Sequence, residues 1–202
     1  MKGRPVQALK PVISGYDDIA PDNTDSGILL GSMGMEPTKR NVANISPWRF
    51  LAEISPDMAA ARENRHIDFS QLISFCKGSI EDNSAQGTTT LIEGVGGVMV
   101  PLNETHTVLD WIIALKIPTI LVAGTYLGTI SHTLTACSAL TSNGVDVTRI
   151  VLSQSAENPV PTEETASVIS KFLPDIQITR VARAKDEAAP WHDCQNLLDI
   201  IE

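Results

Sequence analysis

The sequence has no apolar run long enough to cross a bilayer and no excess of positive charge. Its most apolar stretch, Trp111 to Gly124, is broken by Lys116 and Pro118, whereas a spanning helix needs about 20 consecutive apolar residues. Lys and Arg number 15 against 24 Asp and Glu, a formal net charge of -9, so the long-range attraction that draws proteins onto nucleic acid or anionic lipid is missing. Neither nucleic acid nor a membrane is expected as a partner, and small-molecule chemistry is. No positively charged, apolar leader precedes a cleavage site, which predicts a soluble, cytoplasmic protein. Cysteine is scarce: Cys76, Cys137 and Cys194 are odd in number and contain no C-x-x-C pair, against both a disulfide framework and a cysteine zinc site. His66, His106, His132 and His192 likewise lack metal-ligand spacing.

What is present is a chain of 202 residues, 43% hydrophobic, enough for one substantial core; a single domain over residues 1–202 is expected. Five runs rich in β-branched or aliphatic residues read as buried strands: Val6 to Val12, Thr89 to Ile92, Thr119 to Ala123, Arg149 to Leu152 and Ile176 to Val181. Helical segments lie between them, at Phe69 to Lys77, Val108 to Leu115, Ile130 to Thr141 and Glu163 to Phe172. Strand and helix alternate as in an α/β protein with a parallel sheet covered on both faces. Asn143-Gly144 marks a helix stop, and Pro161-Thr162-Glu163-Glu164 a helix start with Thr162 as cap. Tyr16 to Asn41, rich in Asp, Gly and Pro, reads as an irregular loop of the kind that binds ligands beyond strand ends.

Three short segments carry candidate chemistry. Leu9-Lys10-Pro11-Val12-Ile13-Ser14-Gly15 places a lysine near a strand end, beside a turn exposing the Ser14 hydroxyl; open α/β sheets bind ligands there, although such a lysine is also a common solvated edge residue. Leu91-Ile92-Glu93-Gly94-Val95-Gly96-Gly97 ends a strand in a carboxylate, followed by glycines that let backbone N–H groups approach a ligand. Glu93 reads either as a magnesium ligand, hard oxygen donors being what that ion prefers, or as an acid capping a glycine turn. Asp25, in Asn23-Thr24-Asp25-Ser26, reads either as a third member of the site or as a helix N-cap.

The Lys-Pro-Val-x-Ser-Gly strand end, the Thr-Asp pair and the Glu-Gly-x-Gly-Gly turn resemble, in order and spacing, three signatures of the dethiobiotin synthetases. The similarity continues through Ser46-Pro47-Trp48-Arg49-Phe50, Ser55-Pro56-Asp57-Met58, Asp110-Trp111 and Leu127-Gly128-Thr129-Ile130-Ser131-His132, covering about three quarters of the chain, more than isolated motif matches produce. The resemblance implies a P-loop NTPase-like sheet and an ATP- and Mg2+-dependent ligase that closes the ureido ring of dethiobiotin from 7,8-diaminononanoate (diaminopelargonate) and CO2. It implies that Lys10 meets the substrate carbamate and the transferring phosphoryl group, that Ser14 holds the diamine end, that Asp25 and Glu93 hold magnesium beside the nucleotide, and that the backbone of Gly96 faces the substrate. The turn Leu127, Gly128, Thr129, Ile130 and Ser131 would grip the substrate's far carboxylate across a homodimer interface. Phosphoryl transfer of this kind depends on positioning and charge stabilisation, so no protein nucleophile is needed.

The chain departs from the family's pattern in three ways. No Gly-Lys-Ser or Gly-Lys-Thr triplet occurs in it, and the family's first strand, phosphate-binding loop and helix, roughly 25 to 30 residues by element length, are expected to lie ahead of Met1. Ser153 stands where the family often has an asparagine contacting adenine, and the segment from Arg183 to Trp191 matches loosely. Ser131 replaces the usual asparagine of the interface turn, a shorter group that reaches partners through water. These departures leave a second expectation beside the ligase, a non-catalytic relative that binds a ligand or partner, and a third, another P-loop ligase of similar architecture.

Overall fold

The computed structural model describes residues 5–185; Cys194, His192 and the 186–191 part of the loosely matching segment lie outside them. The chain divides into two compact units, residues 1–115 and 116–202.

The first unit contains β1 (Val6–Leu9), β2 (Val12–Ser14), α1 (Asp25–Ser32), α2 (Lys39–Ile45), β3 (Trp48–Phe50), α3 (Pro56–Arg62), α4 (Phe69–Ala85), β4 (Thr89–Ile92) and α5 (Val108–Leu115). β1 pairs in parallel with β4, Leu9 opposite Ile92, and β2 pairs in parallel with β3, Val12 opposite Trp48. The run expected as one strand, Val6 to Val12, is therefore two strands serving different partners. Pro11 causes the break, because it has no N–H to give a ladder. Its carbonyl accepts from Trp48 N at 3.0 Å, while Lys10 N donates to Ile45 O at 3.1 Å. Leu9, Ile13, Tyr16, Leu30, Val42 and Ile45 form one buried cluster, with Phe75 and Ile92 packed on it. Each large apolar side chain so buried stabilises the fold by about 1.5–3 kcal/mol.

Tyr16 to Asn41 is more regular than expected. It holds a 3-10 turn at Pro21–Asn23, all of α1 and the start of α2. Its two threonines are caps: Thr24 Oγ1 accepts from Gly27 N at 3.2 Å and Thr38 Oγ1 from Asn41 N at 3.2 Å. Gly27 is bare because a Cβ there would come within 2.0 Å of Pro21 O. β3 and α3 were not expected, both being too short to show a period. α4 continues to Ala85 beyond the expected Lys77; of its residues only Leu72 and Cys76 are buried, so its later turns carry no apolar stripe to read.

The second unit contains β5 (Thr119–Ala123), α6 (Thr129–Ser142), β6 (Val147–Ser153), α7 (Thr162–Phe172) and β7 (Gln177–Val181). The three strands form one parallel sheet in the order β5-β6-β7. Ile150, Leu152 and Ile169 are its buried centre, with Leu121, Ile130 and Ile178 against them. α6 stops at Asn143-Gly144 as expected: Gly144 takes φ +73 and Val145 N returns to Leu140 O at 3.1 Å. The start of α7 differs, since Pro161 is the cap residue and Thr162 already lies inside the helix. The α/β class and the parallel pairing are as expected. The strands β4 and β5, expected to be buried, are edge strands of their own sheets, and Leu91 is 39% and Val122 65% exposed. Among the described residues no helix is long and apolar enough to cross a membrane.

Candidate active site

The register Leu9 to Ile92 puts the next residue of each chain, Lys10 and Glu93, side by side at the carboxyl ends of β1 and β4. Glu93 N donates to Leu9 O at 2.8 Å, which locks this step. Lys10 is only 4% exposed, and a buried ammonium is costly unless paired and hydrogen-bonded. It has three oxygen partners: Glu93 Oε1 at 2.7 Å, Gly94 O at 2.9 Å and Asp25 Oδ2 at 3.1 Å. The solvated-edge reading of Lys10 is thereby excluded. The lysine is buried from behind while its acidic partners face solvent, their side chains being 56% exposed for Asp25 and 52% for Glu93.

Asp25 arrives from the first turn of α1, where a carboxylate also suits the helix dipole. It is not the N-cap; Thr24 fills that role and turns its Oγ1 back to Pro21 O at 2.7 Å. The following Ser26 is buried and shares a 2.7 Å hydrogen bond with buried Ser46, anchoring the helix start to the segment leading into β3. No sequence signal marked this serine pair, because its members lie in separate elements.

Ser14 ends β2, and its hydroxyl is not exposed as expected: the Oγ is buried and has no hydrogen-bond partner in the protein. Such an orphaned buried hydroxyl costs about 1–3 kcal/mol until something bonds it. Close to it in sequence, the Tyr16 hydroxyl is held above its ordinary range first by burial and then by Asp18, with Arg49 opposing; the Arg49 guanidinium lies 5.5 Å over the Tyr16 ring. Gly96 sits at φ +63 in the turn after Glu93, and a Cβ there would meet Val100 Cγ2 at 2.8 Å. Glycine is thus required twice over, by conformation and by space.

In the second unit, Leu127 to Ser131 forms the entry to α6. Gly128 caps the helix at φ +97, Leu127 is 87% exposed, and Gly128 and Ser131 are exposed beside it. Thr129 is buried and donates its hydroxyl to Gly124 O at 2.6 Å, while Ile130 packs on the Ile150 cluster. The turn therefore presents its backbone outward and is fixed from below. Ser153 ends β6 with its side chain exposed.

Asp25 and Glu93 fit a magnesium ion. Both are hard oxygen donors, both reach one point now occupied by the Lys10 ammonium, and both are open to solvent. Among the described residues no group of three or more His, Cys, Asp or Glu gathers in metal-binding geometry. Two carboxylates with water and phosphate oxygens completing the shell is the usual way a nucleotide-bound magnesium is held.

A family model described as an AAA domain matches residues 1–184. Among curated relatives, the ATP-dependent dethiobiotin synthetase BioD of Acidiphilium cryptum is 47% identical over 193 residues, covering 93% of this chain and 82% of the relative. The protein of the same name in Methylobacterium nodulans is 44% identical over 184 residues, covering 90% of this chain and 81% of the relative. That of Caulobacter vibrioides is 36% identical over 199 residues, covering 98% and 86% respectively. By this extent of likeness the chain belongs to the ATP-dependent dethiobiotin synthetase family.

Proposed function

We propose that this chain forms dethiobiotin from 7,8-diaminononanoate, CO2 and ATP, releasing ADP and phosphate. One observation carries the reading beyond family membership: a buried lysine held by two solvent-facing carboxylates at adjoining strand ends. One substrate amine adds to CO2 and loses a proton, giving a carbamate. A carbamate oxygen then attacks the γ-phosphorus, the bond to ADP breaks, and a carbamoyl phosphate results. The second amine attacks the carbamoyl carbon, phosphate leaves, and the ureido ring closes.

Each stage concentrates negative charge, which is where a preorganised cation lowers the barrier. Lys10 exchanges one of its three oxygen partners for an oxygen of the carbamate or of the phosphoryl group in transit. Asp25 and Glu93 would hold magnesium, directly or through water, and the ion would supply charge neutralisation at the phosphate oxygens. The Ser14 hydroxyl hydrogen-bonds the diamine end, and the backbone at Gly96 lines the same place. In a homodimer, the turn from Leu127 to Ser131 of one copy takes the far carboxylate of the substrate bound to the other. Ser153 borders the adenine. The 1–184 span of the family match supports treating both units as one domain, and a soluble biosynthetic role of this kind belongs in the cytoplasm. The family's likeness favours this reaction over a non-catalytic binding module.

The test supplies 7,8-diaminononanoate, ATP, magnesium and carbon-13 bicarbonate to residues 1–202, and in parallel to a version preceded by a strand, a G-x-x-x-x-G-K-T loop and a helix. Labelled dethiobiotin appearing with equimolar ADP is the expected result. ATP consumption that ignores the diamine, or no labelled product from either version, would overturn the proposal.

A further inference from the structure

Just beyond the adjoining strands β5 and β6, Thr125 and Ser155 hold each other by two reciprocal hydrogen bonds. Thr125 N donates to Ser155 Oγ at 3.0 Å, and Ser155 N donates to Thr125 Oγ1 at 2.9 Å. Thr125 is fully buried, so water does not reach its N–H or its Oγ1. The packing leaves no slack: a Cβ on Gly124 would sit 2.7 Å from Ser155 Oγ and 2.9 Å from Tyr126 Cδ1. Gly124 in turn accepts the Thr129 hydroxyl at 2.6 Å. The exposed turn of Leu127 and Gly128 is thus pinned on one side through Thr125 and on the other through Thr129. Ser153 lies two residues before the second member of the clasp.

We infer that Thr125 and Ser155 are positioning residues that fix the Leu127–Ser131 turn and the Ser153 segment as one rigid piece, so that the site for the substrate carboxylate and the site for the nucleotide base are set together. This rests on the roles proposed above for that turn and for Ser153. Neither hydroxyl touches a substrate; both act through the backbone they hold. Because the two bonds close one ring, breaking either releases both segments.

The experiment uses the version active in the labelling assay. Thr125→Val keeps the shape, removes one acceptor and strands the Ser155 N–H. The Michaelis constants for diaminononanoate and for ATP should both rise about tenfold, the scale of one buried hydrogen bond left unmade, with kcat changed far less. Thr125→Ser, which keeps the oxygen, should restore both constants. Ser155→Ala should match Thr125→Val, and the double variant should cost little more than either single one, the non-additivity of a shared unit. A structural role alone would lower the active fraction and leave both Michaelis constants in place; that result, a rise in only one of them, or failure of Thr125→Ser to rescue overturns the inference. If Thr125→Val does not fold, Ser155→Ala and Thr125→Ser decide by the same criteria. An active parent with unmoved constants removes the clasp alone, whereas a parent that makes no dethiobiotin removes the reaction as well.

Discussion

Lys10 Nζ and Glu93 Oε1 lie 2.7 Å apart although 83 residues separate them in sequence. The parallel pairing of β1 with β4 carries both to the same strand ends, and α1 adds Asp25 on the other side of the ammonium. The arrangement holds a buried cation between two half-exposed carboxylates, which under the function proposed above would let it change partners without being drawn out of solvent.

Lys10→Ala should lower turnover at saturating substrates by about 10²-fold or more, the scale for removing one preorganised donor to a transition state. Thermal unfolding should show that the fold survives, since the carboxylates left behind are half-exposed and can be hydrated. Near-normal turnover would take Lys10 out of the reaction.

Glu93→Gln removes charge from one of the two proposed magnesium donors but keeps its shape and the bond from Lys10. Half-saturation by magnesium should move up by about tenfold or more, in the range seen when groups that tune a metal site are changed. Asp25→Asn should act in the same direction. Titration of activity with magnesium checks this, and identical curves for both variants and the parent would dissociate the two acids from the metal.

Asp110 and Thr107 form a reciprocal cap on α5. The carboxylate accepts from Thr107 N and Thr107 Oγ1, each at 2.7 Å, and Asp110 N reaches Thr107 Oγ1 at 3.4 Å. These bonds hold the Asp110 carboxyl below its ordinary 3.8, the backbone bond from Thr107 contributing most. A depressed carboxylate stabilises the fold above its unfolded value and loses that contribution as pH falls through the folded one. Asp110→Ala should therefore destabilise by about 1 kcal/mol near neutrality, the usual size of a lost helix cap. The difference from the parent should shrink in melts taken at pH below 3.8; a gap that widens with acid would contradict the cap.

Burial pushes the Cys76 thiol up to about 11, against a smaller opposing effect of Trp111, and Cys137 is also buried and raised. Thiolate is the reactive form, so neither should be alkylated by iodoacetamide at neutral pH until denaturant is added. Peptide mass mapping before and after unfolding reads this directly, and rapid labelling of Cys76 in the folded protein would show that helix α4 opens readily.

Elements with a compact apolar or β-branched pattern were legible in the sequence because that pattern is local. α5 has the bounds expected of it, β4 and β5 have theirs, and α6 and α7 differ by one or two residues at their ends. α1, α2, α3 and β3 were not, and length alone is not the reason, since α1 and α5 both have eight residues; α1 buries only Ser26, Gly27 and Leu30, whereas α5 buries Val108, Leu109, Trp111 and Leu115. The strand signal of Val6 to Val12 marks extended chain but not two partnerships, a distinction that one missing N–H at Pro11 makes only when β3 is there to pair.

The residue types of the candidate site were determined by the sequence alone: a lysine, two acids and a glycine turn, spaced as in a nucleotide-dependent ligase. Tertiary structure decided which of them meet. It selected Gly94 O as a third partner of Lys10, hid the Ser14 hydroxyl instead of exposing it, gave the cap of α1 to Thr24 and left Asp25 for the ammonium. It also closed the clasp between Thr125 and Ser155, 30 residues apart. Those outcomes depend on strand register and on the close approach of separate backbones, which are long-range properties of the packed chain, whereas the identity of a side chain and the local period around it are already complete in the sequence.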